Sequence, residues 1–121
     1  MDADILPDTL AEVRQAIDEL DSQLIGLLAR RQRLVAQAGR LKPKHDAQAV
    51  AAPERVAQVL KARREQAAAA GLSPDVAEAV WQAMIAAFIR FEQEVNRSGG
   101  TANSGYLKTK RPFENTTQRK K

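Results

Sequence analysis

The chain of 121 residues contains no cysteine. Disulfides, thiol nucleophiles and cysteine-ligated zinc or iron–sulfur centres are therefore excluded. Its single histidine, His45, cannot build a multi-histidine metal site alone, so no metal or other cofactor is expected. Only 4% of residues are aromatic, and glycine is scarce and scattered. Gly26, Gly39, Gly71 and Gly105 stand alone and Gly99-Gly100 is the one pair, so a Gly-rich phosphate loop is missing. No apolar run approaches the roughly 20 residues of a membrane span. The start, Met1-Asp2-Ala3-Asp4, is acidic and lacks the basic region of a secretory signal. A cytoplasmic protein without a membrane partner is the expectation.

What is present suits one small globular domain: 44% of residues are hydrophobic and 28% are charged. The net charge of +4 is unevenly distributed. Residues 97–121 hold seven basic side chains against Glu114, so the body of the chain is faintly acidic. A nucleic-acid-binding domain needs its positive charge on the folded part. A nucleic-acid partner would rest on the tail alone and is not expected. The stretch Ser98 to Gly105 is polar and turn-forming, and buries too little apolar area to offset ordering. Residues 1–97 are therefore expected to form one helical domain, and residues 98–121 a flexible basic tail.

Three helical patterns are legible. From about Thr9 to Lys42, Leu10, Ile17 and Leu24 recur every seven residues, as do Val13, Leu20, Leu27, Leu34 and Leu41. Asp8 or Thr9 can cap the start, and Pro43 stops the helix. Such a helix is roughly 50 Å long. A compact chain of this size has a radius of gyration of about 14 Å. One copy cannot wrap both sides of its own first helix, which predicts a helix-swapped homodimer. Residues 43–52 lack periodicity and read as a loop. Pro53 suits the first position of a second helix, with Val56, Val59, Leu60 and Ala67 on one face and Gly71 just past its end. Ser73 caps a third helix that begins at Pro74 and runs to about Val95, with Val76, Val80, Trp81, Met84, Ile85, Phe88 and Ile89 as its apolar face. The predicted class is all-α: three helices per chain, one very long, in an intertwined homodimer.

The informative residues are charges on apolar stripes. Arg31 occupies the row of Leu10, Ile17 and Leu24. Lys42 ends the row that begins at Arg14 and passes Leu28 and Val35. Glu92 follows Ile85, Phe88 and Ile89 on one face. A lone charge buried this way costs several kcal/mol, so such groups need partners, water or a charged ligand. Each also has a plainer reading. Arg30, Arg31 and Arg33 can form one solvated run, and Arg14 can pair with Asp18 or Asp21 along its helix. Lys42 can complement a helix C-terminus, Glu54 a helix N-terminus, and Glu92 can sit at a fraying end. Taken jointly, three inward cations and a carboxylate suggest a pocket for a compact dianion.

The run Leu10-Ala-Glu-Val-Arg14-Gln-Ala-Ile17-Asp18-Glu-Leu20-Asp21, with Leu27-Leu28-Ala-Arg30-Arg31, Val35, Lys42, Pro53-Glu54-Arg55-Val56, Gly71-Leu72 and Phe91-Glu92-Gln93, resembles the all-helical chorismate mutase family over about residues 8–95. It is particularly similar to the branch containing isochorismate-pyruvate lyase. The resemblance implies an intertwined dimer with two equivalent sites. It implies that Arg14 reaches a substrate carboxylate in the partner's site and that Arg31 clamps a carboxylate in its own. It further implies that Lys42 binds the ether oxygen and a carboxylate, that Glu54 bonds the ring hydroxyl, that Val35 lines the pocket, and that Glu92 sits beside the ether oxygen. Many mutases carry arginine where Pro53 stands; the lyase pattern carries Gln where Glu92 stands.

The chemistry matches these residue types. Rearrangement of chorismate to prephenate is a concerted pericyclic shift, which needs a held geometry and stabilised charge on the ether oxygen. Arginine grips carboxylates through two parallel bonds, a preorganised lysine stabilises the developing charge, and Glu92 helps only as a proton donor. The expected catalytic residues are Lys42, Glu92 and Arg31, with Arg14, Val35 and Glu54 in substrate binding. Isochorismate-pyruvate lyase activity, giving salicylate and pyruvate, is the alternative in the same pocket. A non-enzymatic helical dimerisation module, with Arg31 and Glu92 in interhelical ion pairs, is the alternative outside enzymes.

Overall fold

The computed structural model describes residues 5–98. Helix α1 spans Leu10–Leu41, α2 Ala47–Ala51, α3 Pro53–Ala70 and α4 Pro74–Ser98, and no strand occurs among the described residues. The predicted all-α class holds. The chain divides into two units, one ending at Arg33 and one starting at Leu34.

The described part of the first unit is mostly the leading stretch of α1. Thr9 caps it as expected, its Oγ1 accepting the Glu12 N–H at 3.1 Å. With 32 residues, α1 as a whole is about 48 Å long. Leu10, Ile17, Leu20, Leu24, Ile25 and Leu27 are 49% to 67% exposed. Among the described residues of this unit none is buried. The heptad seam thus stands largely uncovered in a single chain.

The second unit holds the core. Helices α3 and α4 pack as a hairpin, and α2 lies against α4. Ala36, Val50, Val59, Ala67, Ala77, Ile85 and Val95 are buried. The expected apolar face of α4 is only partly covered: Ile85 is inside, whereas Val76 and Val80 stay exposed. Pro53 opens α3, where its missing N–H costs nothing. Gly71 ends α3 in the left-handed region, with φ 82°, and the Leu72 N–H returns to the Ala67 carbonyl at 2.9 Å. Ser73 then caps α4 through the Val76 N–H at 3.3 Å. Arg64 fastens the hairpin, donating to Asp75 at 3.0 Å and to Glu78 at 2.7 Å. Those two bonds, Asp75 first, push its guanidinium above the ordinary range and keep it charged. Arg63 lies 5.8 Å from the centre of the Trp81 ring.

Two expectations need correction. The segment 43–52 is not wholly loop, because Ala47–Ala51 forms α2. Asp46 caps this helix by accepting the Ala49 N–H at 2.9 Å, and Val50 buries itself against the core with 2% exposure. Five residues are too few for a 3.6-residue period to register. Helix α2 is bracketed by two left-handed residues, His45 at φ 60° and Ala52 at φ 40°. Helix α4 also continues past Val95 to Ser98. Asn96 is buried there, Arg97 pairs with Glu94, and the Ser98 hydroxyl donates to the Val95 carbonyl. The rest of the expected tail lies outside the described residues.

Replacing Gly71 with alanine places a Cβ in the left-handed region, where nothing lies within 4 Å of it. The cost is therefore conformational, about 1 kcal/mol. Urea unfolding should show that loss, and an unchanged midpoint would contradict it.

Candidate functional site

Lys42 is the first residue after α1, and Pro43 directly behind it prevents the helix from continuing. Its side chain crosses to α4, where Nζ donates to Glu92 Oε2 at 2.6 Å. The lysine side chain is 29% exposed and that of Glu92 is 9% exposed. The carboxylate is therefore largely dehydrated, while the lysine side chain stays partly exposed. Glu92 is buried within α4 rather than at a fraying end, and the Lys42 ammonium is directed to it.

The close approach of α1 to α4 depends on Gly39. A Cβ at that position would come within 3.0 Å of Glu92 Cγ and 3.1 Å of the Glu92 carbonyl oxygen. One turn beyond Glu92 on the same face of α4 is Asn96, only 3% exposed. Its amide nitrogen donates to the carbonyls of Gly39 at 2.9 Å, Pro43 at 2.9 Å and Lys42 at 3.4 Å. Its amide oxygen accepts the Asp46 N–H at 2.9 Å. Gly39, Arg40, Lys42, Lys44 and Asn96 line a pocket of about 390 Å³. Three of these five residues are cations, so the concavity favours an anionic occupant.

The remaining predicted residues fall as follows. Val35 is half-buried on α1. Glu54, in the first turn of α3, is exposed and lines a different, more open concavity of about 530 Å³ with Ala52, Pro53, Arg55 and Gln58. Arg14 and Arg31 belong to the first unit. Arg14 is exposed and, among the described residues, pairs with neither Asp18 nor Asp21. Arg31 is half-buried and is not without a partner. The structure thus brings Lys42 and Glu92 together and keeps Glu54 in a separate recess. Asn96 and Gly39 were not anticipated. The available signal was Pro43, four residues after Gly39, which denies that carbonyl its helical donor.

Among the described residues, no group of three His, Cys, Asp or Glu side chains is placed to hold a metal ion. No described helix is long and apolar enough to cross a membrane.

A sequence profile described as chorismate mutase type II matches residues 13–93, and the chain belongs to that family. It is 44% identical over 73 residues to a T-protein of Haemophilus influenzae, a match covering 60% of this chain and 19% of that protein. A T-protein of Enterobacter agglomerans is 41% identical over 71 residues, covering 59% of this chain and 19% of the relative. The isochorismate pyruvate lyase of Pseudomonas aeruginosa is 37% identical over 76 residues, covering 63% of this chain and 73% of the lyase. The matched segment thus spans about a fifth of each T-protein but most of the lyase. No solved structure matches the chain.

Removing the Lys42 ammonium leaves the Glu92 carboxylate buried without its counter-charge. Lys42→Met should lower stability by about 2 kcal/mol, reduced from the fully buried case because Lys42 is partly solvated. Chemical denaturation measures this, and a stability equal to the parent's would mean that the pair carries no net energy.

Proposed function

We propose that this chain is a chorismate mutase, converting chorismate to prephenate in a cationic pocket built around Lys42 and Glu92. The observation that carries the reading is the ammonium of Lys42, held at 2.6 Å by a buried carboxylate at the end of a side chain that is still 29% exposed. Family membership supplies the substrate class. In the rearrangement the ether C–O bond breaks as the new C–C bond forms, and negative charge grows on the ether oxygen. A fixed ammonium beside that oxygen lowers the barrier because its orientation is set before the reaction begins. Arg31 holds a substrate carboxylate through a two-point contact, and Val35 and Glu54 complete the substrate contacts.

Glu92 has a more demanding part. As the ion-pair partner of Lys42 it is a carboxylate, which only accepts hydrogen bonds. To assist at the ether oxygen it must carry a proton.

A homodimer belongs to the same proposal. The seam of Leu10, Ile17, Leu20, Leu24 and Leu27 is uncovered in one chain, and a contiguous apolar stripe of this length favours burial against another surface. A second copy presents a matching heptad seam, and Arg14 of each copy enters the other's site. Sedimentation equilibrium should give twice the 13.3 kDa chain mass; a monomer at micromolar concentration would exclude a shared site.

Isochorismate-pyruvate cleavage is the second reading. It is favoured by the 73% of the Pseudomonas aeruginosa lyase that the match covers. Purified protein incubated separately with chorismate and isochorismate decides between them: prephenate formation is expected, dominant salicylate release would reverse the order, and turnover of neither would overturn both. With chorismate, Glu92→Gln should retain turnover, since an amide donates a hydrogen bond without carrying an added proton. Loss of turnover in that variant would remove Glu92 from hydrogen-bond donation at the ether oxygen.

A further inference from the structure

The buried side chain for which neither the ion pair nor the proposed chemistry has a use is Asn96, and we propose that it is the positioning residue that aims Lys42. The need arises at the end of α1. The carbonyl of Gly39 should accept the N–H of residue 43, but that residue is Pro43 and has no hydrogen to give. Asn96 Nδ2 stands in for the missing donor at 2.9 Å. The same nitrogen reaches the carbonyls of Lys42 and Pro43, the two residues at which the chain leaves the helix. Its oxygen holds the N–H of Asp46, the cap of α2. One amide therefore secures the main chain on both sides of the turn.

Glu92 and Asn96 are one helical turn apart on α4, so this helix grips residue 42 twice. Glu92 takes the end of its side chain and Asn96 takes its backbone carbonyl. A lysine side chain has four rotatable bonds and wanders if its root wanders. The ammonium can be preorganised only if the backbone at residue 42 is fixed, and with Pro43 in place the amide of Asn96 fixes it. Asn96 does not need to touch the substrate; it acts through Lys42.

The inference rests on the proposed mutase reading for its catalytic consequence but not for its structural test. In ligand-free protein labelled with 15N-lysine, the Lys42 ammonium should give a slowly exchanging resonance, assigned by its loss in Lys42→Gln. Asn96→Ala, and the milder Asn96→Ser if the alanine variant does not fold, should abolish that slow exchange. Val59→Ala, a core truncation in α3 that also lowers stability, should preserve it. If the parent turns over chorismate, the Asn96 variants should lose about 10- to 100-fold in kcat, the scale expected for a misplaced catalytic group, with KM changed less than threefold. Adding Pro43→Ala to the Asn96 variant returns a donor to the Gly39 carbonyl. Thermal stability should then recover while the slow resonance does not. Recovery of both together, a slow resonance that survives in the Asn96 variants, or its absence from the parent protein would overturn the proposal. Lack of turnover by the parent would overturn the mutase reading and leave the resonance to decide the role of Asn96.

Discussion

A carboxylate that has lost most of its water must find compensation within the protein, and at Glu92 that compensation is one ammonium at 2.6 Å. Much of the second unit can be understood as the means of keeping the two groups together. Gly39 lets α1 approach α4 closely enough for Lys42 to reach across. Pro43 ends α1 immediately after the lysine, and Asn96 answers the carbonyl that the proline leaves without a donor. Val95, 1% exposed, presents Cγ1 at 3.4 Å from the Cβ position of Gly39. An apolar pair of similar volume would often stabilise as well or better; under the proposed function, the pair keeps charge available for a ligand.

The helical framework was largely readable from local chemistry. Thr9 before a heptad run, Pro53 and Pro74 at first helical positions, and Gly71 past the end of α3 all mark boundaries through backbone groups that any helix leaves unsatisfied. The inward rows of Lys42 and Glu92 were legible for the same reason, since periodicity reports which face a residue occupies. That they come together followed from the family resemblance, which sets both at the ether oxygen, and not from periodicity, which carries no information about which helices pack together. Helix α2 was invisible for want of length. Asn96 was missed because a polar residue beside a Ser-Gly-Gly stretch looks like the start of a tail, whereas its burial follows only from the position of Pro43 on another helix.

Membership of the type II chorismate mutase family and the geometry at Lys42 carry different kinds of weight. The family bounds the substrate class; the geometry identifies which charge is directed and which is shielded. Neither the T-proteins, of which this chain spans about a fifth, nor the lyase, of which it spans most, supplies that second kind of information. The uncovered leucines of α1 add a third. Under the proposed dimer, a site completed by a residue from the second copy ties catalytic competence to association, so assembly and activity share one free-energy balance.

The link between α1 and α3 differs from the turn between α3 and α4. His45 and Ala52 both adopt left-handed backbone, the latter directly before Pro53, and Asp46 is tied to both Asn96 and Ala49. Surface loops usually accept extra residues at small entropic expense. This connector is instead a measured spacer, and one residue more or less would pull Asp46 out of register with the amide it meets. Natural or engineered length variation should therefore concentrate elsewhere along the chain.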